Sequence, residues 1–464
     1  MFEAKVYVQR RKRLRRQIKS GLILFLGNEE SPMNYPANTY PFRQDSSFLY
    51  FFGLDTPGLA AVIDAEEERE ILFGDDVSVE DIIWMGPLPS LRERASLAGV
   101  KKTAPSADLE RALKEAVKKG RRIHYLPPYR PEAALKIQEW VGIHSRLVKD
   151  YASRDLIKAV VKQRSVKIRP EIEEIEKAHR ITHEMHTTAM KTAQPGIFER
   201  EIVGKIEGTA FSSGCFLAFP TIFTINGQIL HNHFHGNILK KGRLIVNDSA
   251  AESDMHYASD ITRTFPVTGK FTQKQREIYE VVLAAQMEAI RMIRPGVRFR
   301  DVHIRAAKKI VAGLKELGLM KGNVHEAVKA GAHALFFPHG LGHMLGLDVH
   351  DMEDLGEEFV GYDEKTKRSE QFGLAYLRFA RELHPGFVMT VEPGIYFIPA
   401  LIDKWIAEKK HRRFIDYNRV NAYRDFGGVR IEDNVLVTKD GCRVLGKPIP
   451  KSVEEIEAIV GKGS

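Results

Sequence analysis

The sequence predicts two domains: an α/β domain on a mixed sheet over residues 1–160, and a second domain over 161–464 that sets paired helices against strands in two related halves. Three observations carry this reading. With 464 residues, 43% of them hydrophobic and 28% charged, the chain can bury two cores and has the balance of a globular protein. Its first third alternates short apolar runs with helical stretches, the pattern of a sheet covered by helices. Beyond residue 165 it echoes itself. MKTAQPGIFEREIV (Met190–Val203) and IRMIRPGVRFRDVH (Ile290–His303) end one helical pattern at Pro-Gly and open another, one hundred residues apart.

In chain order, Val6, Leu14 and Ile18 make the sparse stripe of a first helix, with RRKRLRR (Arg10–Arg16) on its solvated face. The formal charge of +9 raises a nucleic-acid partner; a solvated helix face is the simpler account, so none is expected. GLILFLG, SSFLYFFGL, LAAVIDA, EILFG and RIHYLP read as strands and Asp108–Lys119 as a helix. A charged segment then leads to a helix with Pro170 in its first turn, which places the boundary near 160–170. The amino terminus is charged where a signal peptide is apolar, and no run of about 18 apolar residues occurs, so a cytoplasmic protein without a membrane span is expected. Cys215 and Cys442 are too few for a disulfide framework and suit a reducing compartment.

The second domain carries the chemistry. LIVNDSAAESDMHYASDITRTF puts Asp248 at the end of an apolar strand and Asp260 twelve residues on. In an extended ASDITRTF, Asp260, Thr262 and Thr264 share a face opposite Ile261 and Phe265. VMTVEPGIYF sets Glu392 within an apolar strand, and GGVRIEDNVLV does the same for Glu432, with Arg430 on its face. FPHGLGHMLGLDVHD holds His339, His343 and His350. A helix would put His339 and His343 on one face, but Gly340, Gly342 and Gly346 would each cost about 1 kcal/mol there relative to Ala. A glycine-rich turn running into a strand is expected instead, with His343, His350 or both aimed into a pocket. Four carboxylates gathered in one cleft would repel and take up protons. Two divalent cations balance them, and oxygen donors with one imidazole suit Mn²⁺ or a similar first-row ion better than a structural zinc.

The ordered set D-(x11)-D-I-T-R-T, H-G-L-G-H-x-L-G-L-D-V-H-D, T-V-E-P-G and R-I-E-D resembles the metallopeptidases of the creatinase or pita-bread fold, specifically aminopeptidase P and prolidase, over about residues 165–450. YPFRQDSSFLYFFGL and the IIWMGP segment around Trp84 are similar to the amino-terminal α/β domain of that family. The resemblance implies an α+β pita-bread (creatinase/methionine aminopeptidase-like) catalytic domain. It implies that Asp248, Asp260, His343, Glu392 and Glu432 bind two divalent metal ions per chain, most suitably Mn²⁺, with Glu392 also moving a proton. His231 in INGQILHNHFHGN, His339, His350 and Arg430 would surround substrate, while Asp348 and Asp351 position the loop.

The substrate implied is a proline-containing peptide cut before proline by a Xaa-Pro aminopeptidase. The alternative is a Xaa-Pro dipeptidase, and a remote one is a non-catalytic binding member of the fold, disfavoured because all five ligand positions keep ligating side chains. A homo-oligomer, dimer or tetramer, is expected if Trp84 reaches a neighbouring subunit's cleft; the competing reading makes Trp84 a core residue beside Ile82, Ile83 and Met85. Ser249, Ala250 and Ser259 stand where the family commonly has other residues, in part glycine, and would be strained if a glycine torsion were required. The insertion Glu357–Leu383 is expected to form a helix over EQFGLAYLRFARELHPG.

Overall fold

The computed structural model describes residues 1–463, which fall into two compact units: Met1–Arg164 with Met352–Phe359, and Ser165–Asp351 with the chain from Val360 onward. The first unit holds a five-stranded sheet of β1 (Leu22–Leu26), β2 (Ala60–Asp64), β3 (Arg69–Phe73), β4 (Lys102–Ala104) and β5 (Ile123–His124), in the order β4-β3-β2-β1-β5. Its centre is antiparallel and both edges are parallel. The mixed sheet is the one the apolar runs predict, with RIHYLP reduced to two strand residues.

Two local expectations fail in this unit. SSFLYFF is a helix, Ser46–Phe52, because Asp45 caps it by accepting from Phe48 N–H (2.7 Å) and Gly53 stops it in the left-handed region (φ 68°). All seven residues are buried, so the run carries no periodicity to separate helix from strand. The basic first helix, Ala4–Gln17, is also not simply a solvated face: Arg10 and Arg11 are buried. Arg10 donates to Tyr50 O (2.8 Å), and Arg11 donates to Phe51 O (2.7 Å), Ala98 O (3.0 Å) and Glu70 (2.8 Å). Those two cations hold the domain together and are not presented to a partner.

The second unit repeats one plan. Helices Arg169–Thr192 and Glu199–Ser212 precede an antiparallel sheet of β6 (Ile222–Thr224), β7 (Leu244–Asp248) and β8 (Thr262–Pro266). Helices Gln273–Met292 and Phe299–Glu316 precede β9 (Val388–Val391), β10 (Gly394–Tyr396), β11 (Gly428–Arg430), β12 (Asp433–Val437) and β13 (Cys442–Val444). Here β9, β12 and β13 form one antiparallel sheet and β10 pairs with β11. The Pro-Gly corners match bond for bond. Gly196 N–H donates to Leu239 O (2.9 Å), Leu239 N–H to Ile197 O (2.8 Å) and Glu199 N–H to Asn237 O (2.9 Å). In the second half Gly296 N–H donates to Leu383 O (3.0 Å), Leu383 N–H to Val297 O (2.8 Å) and Phe299 N–H to Arg381 O (3.0 Å). Gly196 (φ 97°) and Gly296 (φ 84°) occupy the left-handed region these corners need.

That second pairing explains why the insertion is not the helix expected. Between Glu357 and Leu383 only the turns Glu357–Val360 and Leu374–Tyr376 are helical. Gly373 (φ 91°) breaks the pattern, and the N–H groups of Ala380 (2.8 Å) and Arg381 (3.0 Å) both donate to Gly361 O, so the backbone is committed to pairing elsewhere. Among the described residues no helix is long and apolar enough to cross a membrane.

Candidate metal centre

The site forms where paired strands change sheets. β9 runs through Glu392 and Pro393 into β10, and β11 runs through Ile431 and Glu432 into β12. Val391 pairs with Asp433 on one side of the break and Gly394 with Arg430 on the other. Pro393 cannot donate to a ladder, so the pairing is interrupted there and the two glutamates turn into one cavity. From the first half, β7 delivers Asp248 at its end. Asp260 lies just before β8, fixed by Asn434, whose side chain accepts from Asp260 N–H (2.9 Å) and donates to Asp260 O (2.6 Å). Thr262 and Thr264 share the polar face as the alternation predicts, donating to Glu432 Oε2 (2.7 Å) and Arg430 O (2.8 Å).

The histidine loop is neither helix nor free turn; it lies along β9. Leu345 N–H donates to Val388 O (3.0 Å), Thr390 N–H to His343 O (3.0 Å), His343 N–H to Thr390 Oγ1 (3.1 Å) and Glu392 N–H to Leu341 O (2.8 Å). The glycines permit this contact: a Cβ on Gly342 would sit 2.1 Å from Thr390 O. Ser249, Ala250 and Ser259 all keep negative φ, so the expected glycine strain does not arise.

A cavity of about 590 Å³ receives Asp248, Asp260, His343, Glu392 and Glu432, and its walls include His231, His339, His350 and Arg430. Trp84 alone of the predicted site residues lies in the other unit, on helix Val79–Met85 with 78% of its surface exposed, which rules out the core reading. Phe372, Tyr376 and Arg378 also line the cavity; the sequence marks the insertion that carries them as a segment able to shape the cleft, but not these individual residues.

Asp260, His343 and Glu432 each offer one donor atom, all within 4.8 Å of one another. His343 Nδ1–H donates to Met344 O (3.0 Å), which leaves the Nε2 lone pair facing Asp260 Oδ2 (3.3 Å) and Glu392 Oε1 (3.5 Å). A lone pair against two carboxylates requires a cation between them or a proton on the ring. Without the cation, burial drives Asp260 up to about 6 against the pull of His343, and Glu392 up to about 7 against His343 and Arg430. Burial, with Asp260, Glu392 and Asp248 adding to it, holds Glu432 well above the carboxylate range. Asp248 Oδ1 is buried with no hydrogen-bond partner. The donor set therefore fits divalent metal, and each anomaly disappears if cations occupy the cavity.

A single hydrogen-bonded chain backs the carboxylates. Arg430 Nη2 donates to Asp248 Oδ2 (2.5 Å), Nε to Thr262 Oγ1 (3.0 Å) and Nη1 to Tyr396 Oη (3.0 Å). Tyr396 O–H in turn reaches His339 Nε2 (3.0 Å), whose Nδ1–H donates to Gly340 O (2.8 Å). Burial opposes charge on Arg430, but Tyr396, Asp248, Glu392 and Glu432 outweigh it and keep the guanidinium ionised. Burial, then Arg430, lowers His339 to about 3, so that ring is neutral and both of its nitrogens are engaged. Arg430 and His339 thus make their hydrogen bonds within the protein while both still line the cavity, as the sequence places them.

Residues 173–439 match the family described as Metallopeptidase family M24, and residues 7–124 match the amino-terminal domain of aminopeptidase P. A probable Xaa-Pro aminopeptidase of Aspergillus fumigatus is 34% identical over 431 residues, 90% of this chain and 88% of the relative. The Xaa-Pro dipeptidase of Homo sapiens is 32% identical over 468 residues, 95% and 89% of the two chains. Among solved structures, aminopeptidase PepP of Pseudomonas aeruginosa superposes with a TM-score of 0.81 at 30% identity over 99% of this chain and 98% of that one. Aminopeptidase P from Escherichia coli with the inhibitor Pro-Leu gives 0.81 at 29%, with the same coverage. Matched over both units, the chain belongs to metallopeptidase family M24, in its aminopeptidase P branch with the two-domain pita-bread architecture.

Proposed function

We propose that the chain is a dinuclear Xaa-Pro aminopeptidase in which Asp248, Asp260, His343, Glu392 and Glu432 hold two divalent ions, Mn²⁺ by preference. The observation that carries this reading is the His343 Nε2 lone pair facing two carboxylates, beside the unpartnered Asp248 Oδ1. Bound ions would polarise the scissile carbonyl and lower the pKa of water. The protein's own part follows from the geometry. Glu392, near neutrality and partly open to the cavity, is suited to move a proton at its carboxylate. Arg430 orients Asp248, and Tyr396 fixes His339. His231 at the exposed rim is the imidazole available to the reacting peptide, with His350 beside His343 further in. Phe372 and Tyr376 supply apolar surface for a proline ring.

A second reading, Xaa-Pro dipeptidase, is favoured by one observation. Arg378 lies in the cavity wall, where a guanidinium would meet the carboxylate of a bound Xaa-Pro dipeptide. The human relative has that activity in its name. Mn²⁺-loaded protein should release the first residue from Xaa-Pro-Yaa peptides and leave Xaa-Ala analogues intact. Turnover of Xaa-Pro alone, lost on Arg378→Ala through a raised KM, would replace the first reading with the second.

The enzyme acts in the cytoplasm as a homo-oligomer, at least a dimer. Ile83, Trp84 and Met85 are 72%, 78% and 80% exposed on one short helix, an apolar group suited to burial by a second copy. Light scattering at nanomolar protein tests the assembly; a fully active monomer would end that part of the reading.

A further inference from the structure

The segment that opens the catalytic unit is tied to the histidine loop, to the strand that leads to Glu392 and to the loop between Asp248 and Asp260. Lys167 donates to Asp351 Oδ2 at 2.7 Å, with both side chains only 1% exposed. Asp351 closes the histidine loop, because its N–H donates to Met344 O (2.9 Å), the carbonyl that also accepts from His343 Nδ1 (3.0 Å). His350, one residue earlier, sets its ring edge-on to His343 with centroids 4.2 Å apart. Gly346 makes room for the pair: a Cβ there would lie 2.5 Å from Asp351 Oδ2 and 2.9 Å from Lys167 Cε. Lys167 N–H also donates to Gly386 O (2.8 Å), just ahead of β9 and Glu392.

Four residues on, buried Glu171 accepts from Tyr257 O–H (3.0 Å). Tyr257 belongs to the loop between Asp248 and Asp260, which joins the histidine loop through Ala258 N–H to Gly346 O (2.8 Å). A buried ion pair is a poor source of stability compared with apolar packing, whereas it does impose one geometry on the groups it joins.

We propose that Lys167 is a positioning residue. Through Asp351 and the Met344 carbonyl it sets the orientation of the His343 imidazole and the seat of His350. The Glu171–Tyr257 bond holds the loop of Asp248 and Asp260 in the same frame. The inference rests on the metal-centre reading above, and its test does not depend on the substrate assigned there.

The full chain is loaded with Co²⁺, and its visible absorption is recorded without substrate for wild type, Lys167→Met, Lys167→Met/Asp351→Asn and Tyr257→Phe; proline-peptide cleavage is measured alongside. Lys167→Met should shift the Co²⁺ bands and lower kcat roughly 10²-fold, the scale for a misplacement of about an ångström, with KM within about threefold. The double variant leaves no charge buried alone, so its thermal midpoint recovers while spectrum and kcat stay altered. Tyr257→Phe should move the spectrum the same way by less, with a midpoint lower by only a few degrees for the one hydrogen bond lost. A wild-type spectrum and kcat in the double variant would overturn the proposal by reducing the pair to charge neutrality. If the lysine variants do not fold, Tyr257→Phe decides, and an unchanged spectrum there overturns it. A wild-type protein that binds Co²⁺ yet cuts no proline peptide would remove the substrate reading alone.

Discussion

Gly342→Ala isolates the reason for glycine in the histidine loop. The new Cβ would stand 2.1 Å from Thr390 O and 2.8 Å from Thr390 Oγ1, against the backbone of β9 and not against a side chain that can swing away. Relief requires the loop to withdraw by more than an ångström. That breaks the bonds from Thr390 N–H to His343 O (3.0 Å) and from His343 N–H to Thr390 Oγ1 (3.1 Å). Two hydrogen bonds at about 1 kcal/mol each and about 1–3 kcal/mol of overpacking give a loss of about 3–5 kcal/mol. At roughly 2–4 °C per kcal/mol for a large domain, the midpoint should fall by about 10 °C in calorimetry. Because His343 moves with the loop, bound Mn²⁺ per chain should fall as well. Gly204→Ala is the control: it lies in helix Glu199–Ser212 with nothing within 4 Å of its Cβ, and should gain about 0.5–1 kcal/mol. A Gly342→Ala protein with the wild-type midpoint and full metal would refute the close-approach argument.

Mn²⁺ binding to metal-free protein should release protons, more at pH 6 than at pH 8, because Glu392 (about 7) and Asp260 (about 6) hold protons in the folded apo state. Both folded values lie above the unfolded ones, so their contribution to apo stability is full below about pH 4 and is lost as pH rises through 6–7; equal apo midpoints at pH 5 and 8 would contradict this. Asp260→Ala or Glu432→Ala should lower the metal count by elemental analysis together with activity, and full activity in metal-free protein would exclude the centre. His339→Ala should keep its metal and lose roughly 10²–10³ in kcat, by freeing Tyr396 and Arg430 behind Asp248; loss of metal would make it a ligand.

The ligand strands were legible because each sets a charged residue in an apolar run: Asp260, Thr262 and Thr264 have no reason to share a face unless that face meets something polar. The Pro-Gly echo was legible for a similar local reason, since a left-handed corner leaves its glycine in the sequence. The failures have physical causes too. Ser46–Phe52 is buried on all sides and so shows no period, and its type is decided by Asp45 and Gly53, which lie outside the run. The insertion looks helical in composition, but its N–H groups are taken by Gly361 and Val297, partners no local window contains. Tyr396, Arg378 and Lys167 were passed over because nothing nearby in sequence distinguishes them from ordinary wall, surface or core residues.

The split of the centre between the two halves bears on how the protein comes to be folded. Arg430 meets Asp248 across 182 residues, Asn434 meets Asp260 across 174, and Glu432 meets Thr262 across 170. Contacts of such long range have their loop-closure entropy to overcome before they return any free energy, and they slow the approach to the native state. Each helix pair and its strands can form on local contacts; the metal cavity exists only once the two have docked. In refolding, recovery of helical circular dichroism should therefore run ahead of tight metal uptake, and the ion becomes a clock for the last step of assembly.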